Sequence, residues 1–290
     1  MSPRWAATAS IELDEIELRR DCGDDSPLIV RGEARTPPAP IGTVIVCHGF
    51  KGFARFSFFP YLAEMLAEAG CRAVTFDFSG SGVGEDRENF TNYDAFTRNT
   101  YLRELDDLAA VVGEARARGW MDDGYGLFGH SRGGGVAILQ AARDPAVKAL
   151  ATWAAISATN RWPPEVIAGW RERGFIDVAN SRTGDVIPIN TDLLNEVENL
   201  GATTLNIALA ASRVARPWLI VHGSEDETVP IHEGERLARQ SGGCGDLRVL
   251  DGVNHSFGGK HPLDDVTDTL ESVTRLTVEF FVDQFRGNAV

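Results

Sequence analysis

A serine stands between two glycines in the segment GLFGHSRGGGVAI, residues 126–138, which separates two apolar runs. Gly129, Ser131 and Gly133 fit the pattern G-x-S-x-G, in which a strand turns sharply into a helix and exposes a serine hydroxyl above the sheet. Side chains two residues away would collide with the strained turn, so glycine is needed there. The pattern predicts a nucleophile; the alternatives are a packing turn with a solvent-exposed serine, or a phosphate loop, whose Lys-Ser/Thr ending is missing.

A serine hydroxyl needs a base, and the base needs an orienting acid. The segment WLIVHGSEDETVP places Asp226 in the turn after one apolar run, and LRVLDGVNHSFGG places His255 in the turn after the next. Catalytic groups of open α/β sheets gather at the carboxyl ends of strands, so we expect Ser131, Asp226 and His255 to meet. Glu225 and Glu227 are competing acids, and a surface-loop histidine is the alternative for His255.

Acyl transfer through a serine also requires two N–H donors that hold the developing oxyanion. The backbone N–H of Arg132, directly after the serine, is expected to be one donor. We assign the other to the backbone N–H of Phe50, in the loop HGFKG that follows the apolar run TVIVC. The alternative for this loop is that its glycines serve packing only.

Alternating strand-like and helix-like segments predict how these residues are positioned. SIELDEIELR and PLIVRGEAR alternate apolar and polar residues, as antiparallel strands do. From TVIVC onward, apolar runs alternate with helical spacing, including a helical stretch over residues 93–119 and a closing helix over about 264–286. This order predicts an α/β fold with a mostly parallel central sheet and helices on both faces.

The alternation is interrupted between residues 157 and 211, where helical pieces surround a predicted hairpin, GFIDVANSRTGDVIPIN. We therefore assign residues 1–156 and 212–290 to the core and residues 157–211 to an inserted cap. The cap contains Trp162, Trp170 and Phe175. These aromatic residues form either an apolar pocket over the serine or the packing of the cap on the sheet.

Composition narrows the class of protein. The 290 residues carry a formal net charge of −14, which disfavours nucleic acid and anionic membranes as partners. The four scattered cysteines are expected to be reduced thiols, and no histidine and carboxylate pattern has metal-ligand spacing. The first twenty residues lack the apolar stretch of a secretory signal. We expect a cytoplasmic protein without metal or cofactor; the oligomeric state stays open, with a homodimer as one arrangement.

The motifs CHGFKG, FDFSGSG, GHSRGG, HGSEDETVP and NHSFGG together resemble the α/β-hydrolase superfamily, in its esterase and acyl-hydrolase branch. The HGF form of the oxyanion loop is similar to that of small bacterial esterases, including feruloyl-type ones. The resemblance implies the α/β-hydrolase fold and hydrolysis of a small-molecule ester without a cofactor. The hairpin-containing cap departs from the two-helix lid of many relatives, which leaves the substrate open.

The leading hypothesis is a serine hydrolase of carboxylic esters that prefers small or medium acyl groups or aromatic-acid esters. One alternative keeps the same three residues but acts as an oligopeptidase-like amidase or an acyltransferase. Another alternative is a non-catalytic binding protein of the same fold. Dehalogenases and epoxide hydrolases of this fold carry aspartate at the elbow, so Ser131 excludes their chemistry.

Overall fold

The computed structural model describes residues 10–21, 27–121, 123–180 and 184–287. Within these ranges the chain forms strands and helices that largely alternate. The strands are β1 (Glu12–Arg20), β2 (Leu28–Thr36), β3 (Thr43–Cys47), β4 (Arg72–Asp77), β5 (Tyr125–His130), β6 (Val147–Trp153), β7 (Phe175–Ala179), β8 (Val186–Asn190), β9 (Trp218–Gly223) and β10 (Gly245–Leu250). The helices are α1 (Phe59–Glu68), α2 (Tyr93–Thr97), α3 (Tyr101–Ala117), α4 (Arg132–Ala141), α5 (Pro164–Arg173), α6 (Thr191–Leu200), α7 (Ile207–Ala211), α8 (His232–Gln240) and α9 (Asp268–Arg286).

Eight strands form one sheet in the order β1-β2-β4-β3-β5-β6-β9-β10. β2 runs antiparallel to both β1 and β4, and the remaining neighbours pair in parallel. The predicted α/β class with a mostly parallel sheet is therefore confirmed. The carboxyl ends of the parallel strands lie at one edge, so the loops after β3, β5 and β9 come together there.

The central strands are buried because both faces of the sheet are covered. Every residue of β3, β5 and β9 is buried, which matches their unbroken apolar runs. On one face the apolar cluster includes Leu108 of α3 and Val136 of α4. On the other face a second apolar cluster includes Leu62 of α1 and Phe281 of α9. The two clusters hold the strand ends, and hence their loops, in fixed positions.

Two helix boundaries differ from the sequence prediction. The stretch 93–119 is not one helix, because the Thr100 side chain accepts a hydrogen bond from the Arg103 N–H and begins α3 anew. The closing helix begins at Asp268 rather than near residue 264, after Thr267 caps it through the Leu270 N–H. Both errors come from side-chain caps inside or before a periodic stretch, where periodicity alone cannot place a boundary.

Residues 157–211 contain α5, the antiparallel hairpin β7–β8, α6 and α7. The predicted hairpin is present, and its residues 181–183 lie outside the described ranges. Lys51 Nζ donates to the Ala179 carbonyl at 3.1 Å, and the Leu102 N–H donates to Glu196 Oε1 at 3.0 Å. This region therefore contacts segments that follow the carboxyl ends of β3 and β4. Its role as a cap stays a prediction.

Cys47 and Cys71 are buried, Cys244 is exposed, and all three are free thiols; Cys22 lies outside the described residues. Among the described helices, none combines the length and the apolar character that crossing a membrane requires.

Candidate active site

Ser131 is the single residue between β5 and α4, and its backbone is strained. Its φ of 56° and ψ of −121° lie in a region that non-glycine residues rarely adopt. Its N–H donates to the Trp153 carbonyl at 2.9 Å, and its carbonyl accepts from the Gly135 and Ile156 N–H groups at 3.2 and 3.3 Å. Hydrogen bonds from strand β6 and the start of α4 thus stabilise a backbone conformation that is unfavourable for a serine by itself.

The glycines of the elbow permit close backbone contacts. A Cβ on Gly129 would lie 2.5 Å from the Gly133 carbonyl oxygen, and a Cβ on Gly133 would lie 2.1 Å from the His48 carbonyl oxygen. A Cβ on Gly49 would lie 3.1 Å from the Cβ of Ser131. The loop after β3 therefore packs directly against the serine turn, as two oxyanion donors on these segments require.

Asp226 and His255 are paired across the turns after β9 and β10. His255 Nδ1 lies 2.7 Å from Asp226 Oδ2. The other oxygen of Asp226 accepts hydrogen bonds from the N–H groups of Thr228 and Val229 at 2.9 and 2.8 Å. These bonds fix the carboxylate plane, and the structure gives Asp226, rather than Glu225 or Glu227, as the partner of His255.

The charge state of Asp226 sets the tautomer of His255. Burial acts to raise the pKa of Asp226, but the hydrogen bonds from His255 and the Val229 N–H and the nearby histidines outweigh it, so this pKa lies below its usual value. Asp226 is therefore ionised near neutral pH and can only accept. His255 Nδ1 must carry a proton, so in the neutral ring Nε2 is the unprotonated nitrogen, as a general base requires.

His130 links the elbow to the His255 loop. Its Nε2 donates to the His255 carbonyl at 3.0 Å, and the two imidazole rings lie 4.6 Å apart between centroids. Burial, together with the charge of His255, lowers the pKa of His130 to about 3, so this ring is neutral. Because His130 directly precedes Ser131, the contact brings His255 to the serine turn. Sequence inspection places His130 in the packing under the turn but does not reveal this partner.

The loop that carries Phe50 is held by two hydrogen bonds of His48. The His48 Nδ1–H donates to the Gly49 carbonyl at 2.9 Å, and Nε2 accepts from the Phe78 N–H at 3.0 Å. A further bond, from the Gly52 N–H to the Gly49 carbonyl at 3.0 Å, closes the turn around Phe50. His48 therefore braces this loop.

Arg132 is the first residue of α4, where helix geometry leaves the backbone N–H without an intrahelical acceptor. The Ser131 side chain makes no capping hydrogen bond at this helix end. The positive end of the helix dipole therefore points at the serine turn, where it would stabilise a negative charge. This arrangement fits the expected role of the Arg132 N–H as an oxyanion donor.

The three aromatic residues predicted for the substrate pocket occupy different environments. Trp170 is fully buried, and its indole N–H donates to the Asn190 carbonyl at 3.2 Å. Trp162 packs edge-on against Trp170 at 5.1 Å, whereas Phe175 is 36% exposed and lies beside Arg173. Trp170 also belongs to the apolar cluster that includes Leu108 and Val136, and Trp162 packs against that cluster, so both help to pack residues 157–211 on the core. The pocket role stays a prediction.

A cleft of about 680 Å³ opens at His255. Six residues of polar type line it, of which two are acidic, and Ser131 is not one of the six: Glu225, Glu227, Thr228, Asn254, His255 and Ser256. The surface beside His255 therefore carries polar and acidic side chains.

Sequence reasoning missed the buried carboxylates around the elbow. Glu104 pairs with Arg132, and Asp107 accepts from the Ser79 N–H and hydroxyl at 2.8 Å. A signal was available, because both acids fall among the apolar positions of α3 that include Leu105 and Leu108. A carboxylate at core spacing predicts a buried charged partner.

The model of the alpha/beta hydrolase family matches residues 44–269. The esterase YjfP of Escherichia coli K12 is 26% identical over 249 residues, which cover 83% of this chain and 88% of that protein. An uncharacterized 31.7 kDa protein of E. coli, encoded in the traX-finO intergenic region, is 32% identical over 108 residues; this match spans only 37% of this chain and 35% of that protein. The structure of Est1E from Butyrivibrio proteoclasticus with ferulic acid bound superposes with a TM-score of 0.72 at 22% identity, covering 93% of this chain and 99% of that one.

Proposed function

The chain belongs to the alpha/beta hydrolase family, and we propose that it is a serine hydrolase that cleaves carboxylic esters through an acyl-enzyme on Ser131. The observation that carries the proposal is the 2.7 Å hydrogen bond between His255 and the ionised Asp226, a pair that the His130–His255 bond joins to the strained turn of Ser131. A serine at such a turn is a weak nucleophile until a neutral imidazole nitrogen takes its proton.

In the proposed reaction, Ser131 Oγ attacks the ester carbonyl carbon and His255 Nε2 accepts the hydroxyl proton. The Phe50 and Arg132 N–H groups bind the oxyanion of the tetrahedral intermediate. The C–O bond to the alcohol breaks, and His255 returns the proton to the leaving oxygen. Water then attacks the acyl carbon with His255 again as the base, which releases the carboxylic acid and restores Ser131. Asp226 fixes the ring and stabilises the imidazolium.

We further propose a preference for small or medium acyl groups or aromatic-acid esters over long-chain triglycerides. The polar and acidic residues beside His255 support this preference, because a lipase needs a wide exposed apolar surface next to its catalytic residues. The net charge of −14 opposes adsorption to an anionic interface. The ferulic acid bound in Est1E makes feruloyl esters a reasonable part of the substrate panel.

The test is a panel of p-nitrophenyl esters from acetyl to palmitoyl, with a feruloyl ester and matched p-nitroanilides, on the wild type and Ser131→Ala. We expect hydrolysis that peaks at short or medium chains, and a loss of several orders of magnitude in the variant. Mass spectrometry should find the acyl group on Ser131. Near-wild-type activity of folded Ser131→Ala would refute the proposal. Faster anilide cleavage, or transfer to an added alcohol, would instead favour the amidase or acyltransferase, and rates that rise to palmitoyl would indicate a lipase.

A further inference from the structure

The side chain of Arg132 turns back into the core, although its backbone begins α4 at the serine turn. Its Nε donates to Glu104 Oε2 at 2.8 Å, and both side chains are almost completely buried. The other oxygen of Glu104 accepts from the Asn99 side-chain amide at 2.8 Å. The structure thus places a charged pair, with its own hydrogen-bonded support, directly below the turn that carries Ser131.

The same guanidinium contacts two aromatic rings. Its central carbon lies 3.9 Å from the ring centroid of Tyr101 and 5.4 Å from that of Phe50. The Phe50 ring also stacks on Phe96 at 5.3 Å. The side chain of Arg132, one proposed oxyanion donor, therefore contacts the ring of Phe50, the other proposed donor.

The energetics of the pair favour a positioning role. A buried ion pair loses so much hydration that it rarely stabilises a fold more than apolar residues of similar size would. Arginine differs from lysine here because its planar group can donate from Nε and stack on a ring at the same time. Lysine at this position would keep the charge but would lose the planar contact with Phe50.

We propose that the Arg132–Glu104 pair is a positioning device that fixes the Phe50 N–H relative to the Arg132 N–H, and so sets the geometry of the oxyanion hole. The inference rests on the proposed function, because these two N–H groups are the donors assigned there. Donors of this kind act only when they meet the oxyanion at 2.7–3.1 Å, and a shift of about 1 Å can cost about 100-fold in rate.

The test compares Arg132→Lys, Phe50→Leu and the double variant with the wild type, at concentrations set by titrating the reactive serine with a fluorophosphonate. Phe50→Leu keeps the backbone N–H and the ion pair but removes the ring. We expect each single variant to lose about 10- to 100-fold in kcat, with KM changed by less than about twofold. The double variant should lose little more, because both changes break one contact.

Inhibition by phenylboronic acid gives a second readout, because its tetrahedral adduct places an oxygen in the oxyanion hole. Its inhibition constant should rise in parallel with the loss of kcat. Arg20→Lys is the matched control, because Arg20 pairs with the buried Asp107 on the same helix as Glu104, and its hydrogen bonds and ion pairs go to α3. This control should keep the kcat of the wild type.

Full kcat and unchanged boronate inhibition in both folded single variants would overturn the inference while leaving the ester hydrolase intact. Additive losses in the double variant would also overturn it. If Arg132→Lys does not fold, Phe50→Leu alone tests the inference: a loss of kcat supports it, and full kcat overturns it. A wild-type protein that neither hydrolyses esters nor reacts at Ser131 would refute the proposed function, and this inference with it.

Discussion

His130 Nε2 and the backbone carbonyl of His255 are joined by a 3.0 Å hydrogen bond. The residue before the proposed nucleophile therefore binds the main chain of the proposed base. One neutral imidazole thus links two segments that lie 125 positions apart in the sequence.

The neutral state of His130 predicts a loss of stability in acid. The folded protein takes up this proton only near pH 3, whereas the unfolded chain takes it up near pH 6.5. The unfolded state therefore binds more protons between these values, and stability is full above about pH 6.5 and falls as the pH decreases toward 3. Urea unfolding of the wild type should show this fall between pH 7 and 5.

His130→Gln keeps a donor for the His255 carbonyl but cannot titrate. Its stability should change less with pH, by up to about 1.4 kcal/mol per pH unit relative to the wild type. His222, whose pKa burial also lowers, should preserve part of the slope. His232→Gln, at an exposed position, is the control and should follow the wild-type curve. Parallel curves for His130→Gln and the wild type would contradict the prediction.

Asp226→Asn tests whether Asp226, rather than Glu225 or Glu227, is the acid that orients His255. The amide can still accept from the Thr228 and Val229 N–H groups, but its NH₂ group then faces His255 Nδ1 and favours the wrong tautomer. We expect kcat to fall by about 10⁴-fold, the loss that the same change causes in a serine protease. Steady-state kinetics of folded protein will measure it.

Glu225→Gln and Glu227→Gln are the matched controls, since both residues are exposed in the same turn. Each should keep kcat within about twofold, because an exposed charge is well screened. A glutamate variant that loses as much activity as Asp226→Asn would reassign the acid.

Gly133→Ala should damage both the fold and the site. The added methyl group would lie 2.1 Å from the backbone oxygen of His48, which cannot rotate away. We expect a decrease of about 2 kcal/mol or more in the free energy of unfolding, together with loss of activity. Gly113→Ala in α3, where a Cβ meets nothing within 4 Å, should instead stabilise by about 0.5–1 kcal/mol. Equal stabilities of the two variants would contradict the packing argument.

Arg161 connects the start of the predicted cap to the turn that carries Asp226. Its Nη2 donates to the Thr228 carbonyl at 2.8 Å, and its Nε lies 3.4 Å from Glu233, which accepts from the Ser157 N–H at 2.6 Å. Arg161→Met should lower the free energy of unfolding by about 1 kcal/mol. Limited proteolysis with mass spectrometry should then cut faster within residues 157–211.

The control for this experiment is Arg171→Met, because Arg171 and Glu198 form an exposed ion pair inside the same region. Exposed pairs contribute little, so its cleavage pattern should match that of the wild type. If Arg161→Met is cut no faster than the wild type, the link between Arg161 and Thr228 does not hold the segment. Equally fast cutting in Arg171→Met would contradict a specific role of that link.

The sequence predicts the sheet and the pairing of Asp226 with His255 because both depend on local signals. Apolar runs identify buried strands, and residues that follow such strands share one edge of a parallel sheet. Contacts that depend on three-dimensional separation were not predictable in this way. The spacing of residues does not reveal that His130 bonds a distant carbonyl or that Arg132 contacts two aromatic rings. It also does not reveal that α3 begins after Thr100, because the helical periodicity continues across this position.

Strands β6 and β9 are parallel neighbours in the sheet, with Leu150 beside Trp218. A connection between such strands needs only a dozen or so residues and a single helix. Helix α7 already supplies a crossover element, since Ile207 packs close to Gly135 of α4. The segment before α7 is thus not needed to join β6 to β9, so we expect it to tolerate insertions and deletions better than the strands of the sheet do.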